Sequence, residues 1–232
     1  MSASKNIDKP KDRSNAKKSD SAKLPDAFSL FGPSIKALRL NPVTLGVLFL
    51  VPALMSYSDR LPWQDVVGAD NTTTFTILLL GLMFLAIGLV VVIASFIAEL
   101  ASAKHQKISL AQALKQAFRG FWRLLGLLIN MVLIIVVGLL LFIVPGIFAI
   151  QRLLLAPYFM IDQDLSIKAS IKASFAAGKK HSGALWGVLG ILLATTIVGV
   201  IPVVGYFASL ALGLAYLCAP AIRYVQIKNI TT

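Results

Sequence analysis

The stretch Phe75–Ala98, FTILLLGLMFLAIGLVVVIASFIA, decides the fold. It carries no charged side chain over 24 residues. A helix rises about 1.5 Å per residue, so this one covers ~36 Å, enough for the ~30 Å hydrocarbon layer of a bilayer. Five further apolar runs lie around it, at 42–57, 124–144, 146–161, 184–201 and 204–222. The runs 42–57 and 146–161 are only 16 residues long. They must thin the bilayer or lengthen themselves with snorkelling ends. Of the 232 residues 57% are hydrophobic and 14% charged, and the mean hydropathy is +0.82. A soluble domain has about 25% charged residues and could not hide this much apolar surface. These figures exclude a soluble enzyme and a disordered chain. The single cysteine, Cys218, excludes a disulfide scaffold. The expected fold is all-α: a polytopic membrane protein with six transmembrane helices and short amphipathic interfacial helices.

Charge placement sets the orientation. Nine Lys and Arg lie in 1–42, five in the connector 99–123, four in 162–183 and two after 222. The connector 58–74 has one, Arg60, beside three aspartates, and the turns near Pro145 and Pro202 have none. With six crossings and both termini cytoplasmic, 20 of the 22 basic residues fall inside, as the positive-inside rule requires. Trp122 and Trp186 then sit near the inner interface and Trp63 near the outer one. Residues 1–24 mix Lys, Ser, Asn and Asp with almost no large apolar residue, so they read as a disordered basic tail ahead of a membrane domain at 25–232. They contain no apolar core of a secretory signal. From Ala27 to Arg39 the chain is amphipathic, suited to a helix at headgroup level.

Two stretches read alike. Ser109-Leu-Ala-Gln-Ala-Leu-Lys-Gln-Ala-Phe118 aligns with Ser166-Ile-Lys-Ala-Ser-Ile-Lys-Ala-Ser-Phe175. Trp122 and Gly126 follow the first, and Trp186 and Gly190 the second after an insertion. Val144-Pro145 then matches Ile201-Pro202, and Ala156-Pro157 matches Ala219-Pro220. The pattern predicts a parallel internal repeat, each unit an amphipathic helix, a span, a turn and a return span.

Arg152 is the one ionisable residue well inside a run. With Gln151 beside it and Asn130 in the preceding span, it is the candidate ligand-binding group, an anion site between helices. The competing reading, which the sequence favours, is a tie to a neighbouring helix. Pro145, Gly146, Pro202 and Gly205 mark tight turns between helices. Lys115, Arg119, Lys168 and Lys172 flank the apolar faces Leu110/Leu114/Phe118 and Ile167/Ile171/Phe175, which suits helices resting on an anionic leaflet. No catalytic constellation is present: His105 and His181 stand alone, there is no His-Glu-x-x-His and there is no phosphate-binding loop. No metal or cofactor is expected.

The order Ile143-Val-Pro-Gly-Ile147, Arg152, Ala156-Pro157, Asp162, then an amphipathic helix with Ala169 and Ser174, resembles a prokaryotic family. It is similar to the membrane domain attached to some glycerophosphoryl diester phosphodiesterases, and to stand-alone integral membrane proteins of the same kind. The resemblance runs over about 34–222 and is strongest over 105–190. The family's Ser-Trp pair is here Ser174-Phe175. The soluble phosphodiesterase domain has no counterpart in this sequence, so none of its metal-binding residues carries over. The resemblance implies a six-helix envelope module without phosphodiesterase activity.

The expected function is therefore a non-enzymatic membrane module of a prokaryotic plasma membrane, lipid-associated or scaffolding. Its expected partners are membrane lipids, anionic ones among them, and a protein at the cytoplasmic face; no nucleic acid is expected. The alternative is a transporter or lipid-translocating protein in which Arg152 recognises an anionic group.

Overall fold

A computed structural model describes residues 24–58, 71–201 and 204–231. The readings made for the tail at 1–23, for Trp63 and the connector 59–70, and for Pro202 fall outside them. Among the described residues the chain is helical, with no strand. A 3-10 turn, Ala27–Leu30, leads into α1 (Phe31–Leu40), α2 (Pro42–Ser58), α3 (Asn71–Ala103) and α4 (Leu110–Leu141). Then follow α5 (Ile143–Leu153), α6 (Ala156–Gln163), α7 (Ile167–Lys180), α8 (Ser182–Val198), α9 (Val204–Tyr216) and α10 (Ala219–Thr231).

Four stretches are long and apolar enough to cross a membrane: Leu78–Ala103, Leu110–Leu141, Ile143–Gln163 and Val204–Ile230. Two bent pairs raise the number to as many as six. α1 turns by 106° into α2, and α7 turns by 101° into α8. The chain is an all-α polytopic membrane protein.

Several boundaries differ from the sequence reading. The segment 108–121 is not a helix of its own. It is the first part of α4, which runs unbroken through residue 123 into the span expected at 124–144. The charge pattern changes there, but nothing breaks the backbone: no proline occurs between Ser109 and Leu141, and Gly120, Gly126 and Gly138 all lie within the unbroken helix. The run 146–161 is divided into α5 and α6 at Leu154–Leu155, and the run 204–222 into α9 and α10 at Leu217–Cys218. Each second piece begins Ala-Pro. Proline has no N–H to give to the preceding turn, so it suits the first turn of a new helix better than the middle of an old one.

The molecule is packed at one end. Every side chain from Leu78 to Ile87 on α3 is exposed, whichever way it points, as hydrocarbon contact allows. From Ile93 to Ala103 most side chains on the same helix are buried. The core gathers Leu30, Leu45, Ile93, Leu127, Leu155 and Leu185, from α3 and five other parts of the chain.

Polar residues fix that packed end. Asn41, at the corner between α1 and α2, donates through Nδ2 to Ser102 Oγ at 2.8 Å and to the Gln106 carbonyl at 2.9 Å. Its Oδ1 accepts from the Ile108 amide at 2.9 Å. One buried amide thus satisfies the turn joining α3 to α4, where backbone groups would otherwise lack partners. Thr44 Oγ1 adds a bond to the Ile108 carbonyl at 3.0 Å.

Candidate functional site

Arg152 and Gln151 lie at the end of α5, against α7. Ser174 Oγ donates to the Arg152 carbonyl at 2.6 Å. Gln151 Nε2 donates to the Gly178 carbonyl at 3.3 Å, while Gln151 Oε1 is buried without a partner. The Arg152 guanidinium carbon stands 5.9 Å from the centroid of the Phe175 ring, within cation–π range. A Cβ at Gly178 would meet Arg152 Cα at 3.0 Å, so glycine sets how closely α7 approaches α5. Asn130 is not joined to this pair. It is exposed on α4, and its Nδ2 donates to the Gly126 carbonyl of its own helix at 2.8 Å.

The turn residues act through closeness. The reversal between α4 and α5 falls at Phe142, which is extended at φ −162°, and Pro145 occupies the first turn of α5. A Cβ at Gly146 would lie 2.4 Å from Leu139 Cδ2 and 2.9 Å from the Leu139 amide nitrogen. A Cβ at Gly205 would lie 2.2 Å from the Val198 carbonyl oxygen. Both glycines let antiparallel helices meet at a tight turn, as small residues do in membrane bundles.

The basic residues named as membrane-surface groups, Lys115, Arg119, Lys168 and Lys172, are all exposed. The residues of their helices buried most deeply in the protein are mostly small ones. On α7 the buried stripe is Ser170, Ser174, Ala177 and Gly178, and on α4 it begins with Ala113 and Ala117. Ile167, Ile171 and Phe175 are half-buried, and Phe118 is exposed. In a membrane protein small residues pack against helices and large apolar ones can face lipid, so an apolar face need not mark the core. Trp122 is exposed, whereas Trp186 stands edge-on to Phe148 with ring centroids 5.3 Å apart.

The most heavily bonded group is an acid at the end of an apolar run, where the sequence suits either a solvated carboxylate or one paired with a nearby lysine, and the structure shows the pairing. Asp162, at the end of α6, has its side chain almost wholly buried. Lys104 pairs with its Oδ1. Lys228 Nζ, at 2.7 Å, and Tyr224 Oη, at 2.6 Å, donate to its Oδ2. The cluster joins the end of α3 to α6 and α10. Above it, Tyr158 Oη donates to the buried Glu99 at 2.5 Å, and the Tyr158 and Tyr224 rings stack 6.1 Å apart. A second lock is Arg223, fully buried, whose Nη2 donates to the Pro25 carbonyl at 2.9 Å and Nη1 to Gln226 at 3.0 Å. At the corner between α7 and α8, burial holds the His181 imidazole below its ordinary pKa, and Lys180 and Arg223 add to the effect.

No protein-family profile, curated protein or solved structure matches the chain.

Among the described residues no group of three or more His, Cys, Asp or Glu is placed to hold a metal ion. Glu99 with Tyr158, and Asp162 with its lysines, are closed clusters whose partners come from distant helices. They hold helices together. The Asn41 and Asp162 locks had a faint signal in sequence: each is a polar residue at the edge of an apolar run. Their partners, some 60 residues away along the chain, had none.

Proposed function

We propose that the chain is a non-enzymatic integral membrane module of a prokaryotic plasma membrane, with both termini cytoplasmic, which associates with anionic lipids through its packed end. One observation carries this reading. Lys36, Arg39, Lys107, Lys115, Arg119, Lys168, Lys172, Lys179 and Lys180 are exposed on the elements of that end, and none has an ion-pair partner among the described residues. An unpaired basic layer at the edge of a bilayer attracts anionic headgroups, at about 1 kcal/mol per residue near the surface. The resemblance to the membrane domain of glycerophosphoryl diester phosphodiesterases is compatible with this role, and a scaffold for a protein partner would use the same surface.

Translocation around Arg152 has less support. Arg152 packs on Phe175 and Gly178, and the two cavities that gather free basic groups lie elsewhere, against α3, α4 and α6. Native mass spectrometry of the purified protein with its co-purified lipids tests both readings. Anionic lipid should be enriched over the bulk membrane, and replacing Lys36, Arg39, Lys172 and Lys179 with alanine should reduce the enrichment. Arg152→Ala should leave lipid content unchanged and lower thermal stability. A lipid complement identical to that of the bulk membrane would sink the proposal.

A further inference from the structure

The first half of α4 carries a polar stripe at helical spacing: Gln112, Gln116, Arg119 and Arg123. It faces a groove formed with the inner ends of α3 and α6. Two cavities make up the groove, of about 350 Å³ and 290 Å³, and they share Ile97, Gln116 and Ile161 in their walls. Lys104 and Lys107 stand in the wall of the first cavity, Arg119 and Arg123 in that of the second.

The charges do not balance. Asp162 lies in the wall of the first cavity, but its carboxylate is taken by Lys104, Lys228 and Tyr224. Asp164 lies in the wall of the second, and Arg123 Nη1 donates to it at 2.5 Å. Lys107 and Arg119 remain, with no hydrogen bond or ion pair among the described residues, and the Gln116 amide likewise has no side-chain hydrogen-bond partner among them. Two free cations and a free amide over an apolar floor match one group carrying two negative charges on an apolar body.

We propose that this groove binds a phosphomonoester dianion, the headgroup of an anionic lipid whose acyl chains leave over the apolar floor of Ile97 and Ile161 along α3. Arg119 supplies a planar fork that suits phosphate oxygens, Lys107 a second charge, and Gln116 an amide donor. The proposal rests on the lipid-associated reading above and gives it a specific headgroup.

The test uses the full chain in detergent, titrated separately with short-chain phosphatidic acid, short-chain phosphatidylglycerol and inorganic phosphate, and read by native mass spectrometry and thermal unfolding. Phosphatidic acid should bind more tightly than phosphatidylglycerol, whose diester carries a single charge. Lys107→Ala with Arg119→Ala should weaken phosphatidic acid binding roughly tenfold. Lys172→Ala with Lys179→Ala, which removes the same charge from the basic layer away from the groove, should weaken phosphatidic acid and phosphatidylglycerol alike, by only about twofold. Lys107→Gln with Arg119→Gln repeats the test with longer side chains, should the alanine pair lower the unfolding temperature. Inorganic phosphate binding that is lost in the same variant would uphold the phosphomonoester site and identify its ligand as soluble. Equal weakening in both alanine pairs would overturn the groove and leave the general attraction of the basic layer standing. No binding of either lipid by the wild type would remove both.

Discussion

The helices beginning at Ser109 and Ser166 start alike and end differently. Both are capped by the serine hydroxyl, which accepts from the amide three residues on, and both bury the equivalent positions: Ala113 and Ala117 in one, Ser170 and Ser174 in the other. The first then continues through Trp122 as a single 32-residue helix. The second stops at Lys180 and turns by 101°. The stretch between Phe118 and Trp122 is Arg119-Gly-Phe121, whereas between Phe175 and Trp186 it is AAGKKHSGAL. Within the longer stretch Gly178 packs on Arg152, two lysines complement the negative end of the helix dipole, and the His181 amide bonds back to the Ala177 carbonyl. Similar sequences thus give a straight column in one unit and a shelf in the other. The groove with its free cations lies along the column.

The difference is directly measurable. Spin labels at Ala111→Cys and Val136→Cys on α4 should lie about 37 Å apart, from 1.5 Å per residue along an unbroken helix. Labels at Lys172→Cys and Ile197→Cys have the same separation in sequence, but across the bend they should lie about 25 Å apart. Cys218 is fully buried and should not take up label. Equal distances would abolish the contrast.

A second contrast separates the two Ala-Pro helices. α6 ends in an acid, Asp162, and α10 supplies the Tyr224 and Lys228 that hold it. Asp162→Ala leaves Lys104, Lys228 and Tyr224 without their shared acceptor at the packed end. A loss of about 3 kcal/mol is expected, read as a lower unfolding temperature in detergent. Asp164→Ala, at an exposed pair with Arg123, should cost less than about 1 kcal/mol. Comparable losses from both would show that the cluster joining α3, α6 and α10 is not the main lock.

The glycines at the α4–α5 and α8–α9 turns sharpen the comparison at smaller amplitude. Gly205→Ala would drive a methyl group into the Val198 carbonyl oxygen and the Ile201 Cβ, at 2.2 Å and 2.5 Å. Gly146→Ala meets the movable end of Leu139 first. Overpacking costs about 1–3 kcal/mol. Gly205→Ala should fall at the upper end of that range and Gly146→Ala at the lower, measured as unfolding-temperature shifts under one set of conditions. The reverse order would mean that the backbone between α8 and α9 yields more readily than the Leu139 side chain.

The spans were legible because lipid contact requires a long apolar run whatever the neighbours are. The joints between them were less so. The polar-to-apolar change near Arg123 looked like a helix boundary, yet helices end at backbone breakers and caps, and none occurs there. The apolar faces of α4 and α7 showed only part of the contacts: Leu114 and Ile171 pack half-buried against the core, but the closest approach is made at Ser174 and Gly178, where Phe175 would not fit. Arg152 stood out as a charge in a span, but Phe175 and Ser174, which surround it, lie more than 20 residues further on. Lys107 was visible only as a member of a basic connector, Arg119 only as a membrane-surface group, and Gln116 carried no signal. Folding brings them to one groove, and the pairing of Asp162 and Asp164 with other cations leaves Lys107 and Arg119 without an ion pair among the described residues.

The smallest contrast lies in the two caps. Ser109 Oγ accepts from the Gln112 amide at 3.3 Å, and Gln112 Oε1 accepts in return from the Ser109 amide at 3.0 Å, so two backbone donors at the start of α4 are satisfied reciprocally. Ser166 Oγ accepts from the Ala169 amide at 3.4 Å, and alanine has nothing to return. Ser109→Ala should therefore cost about 1 kcal/mol and Ser166→Ala about 0.5 kcal/mol. Ala169→Gln should complete the second box and recover a few tenths of a kcal/mol. Gln112→Ala should make the first cap resemble the second, while leaving α4 continuous through Gly120, because no cap at Ser109 bears on whether the helix breaks eleven residues later. If Gln112→Ala instead shortened the Ala111–Val136 distance, the straightness of α4 would depend on its first turn, and the missing insertion could no longer account for it.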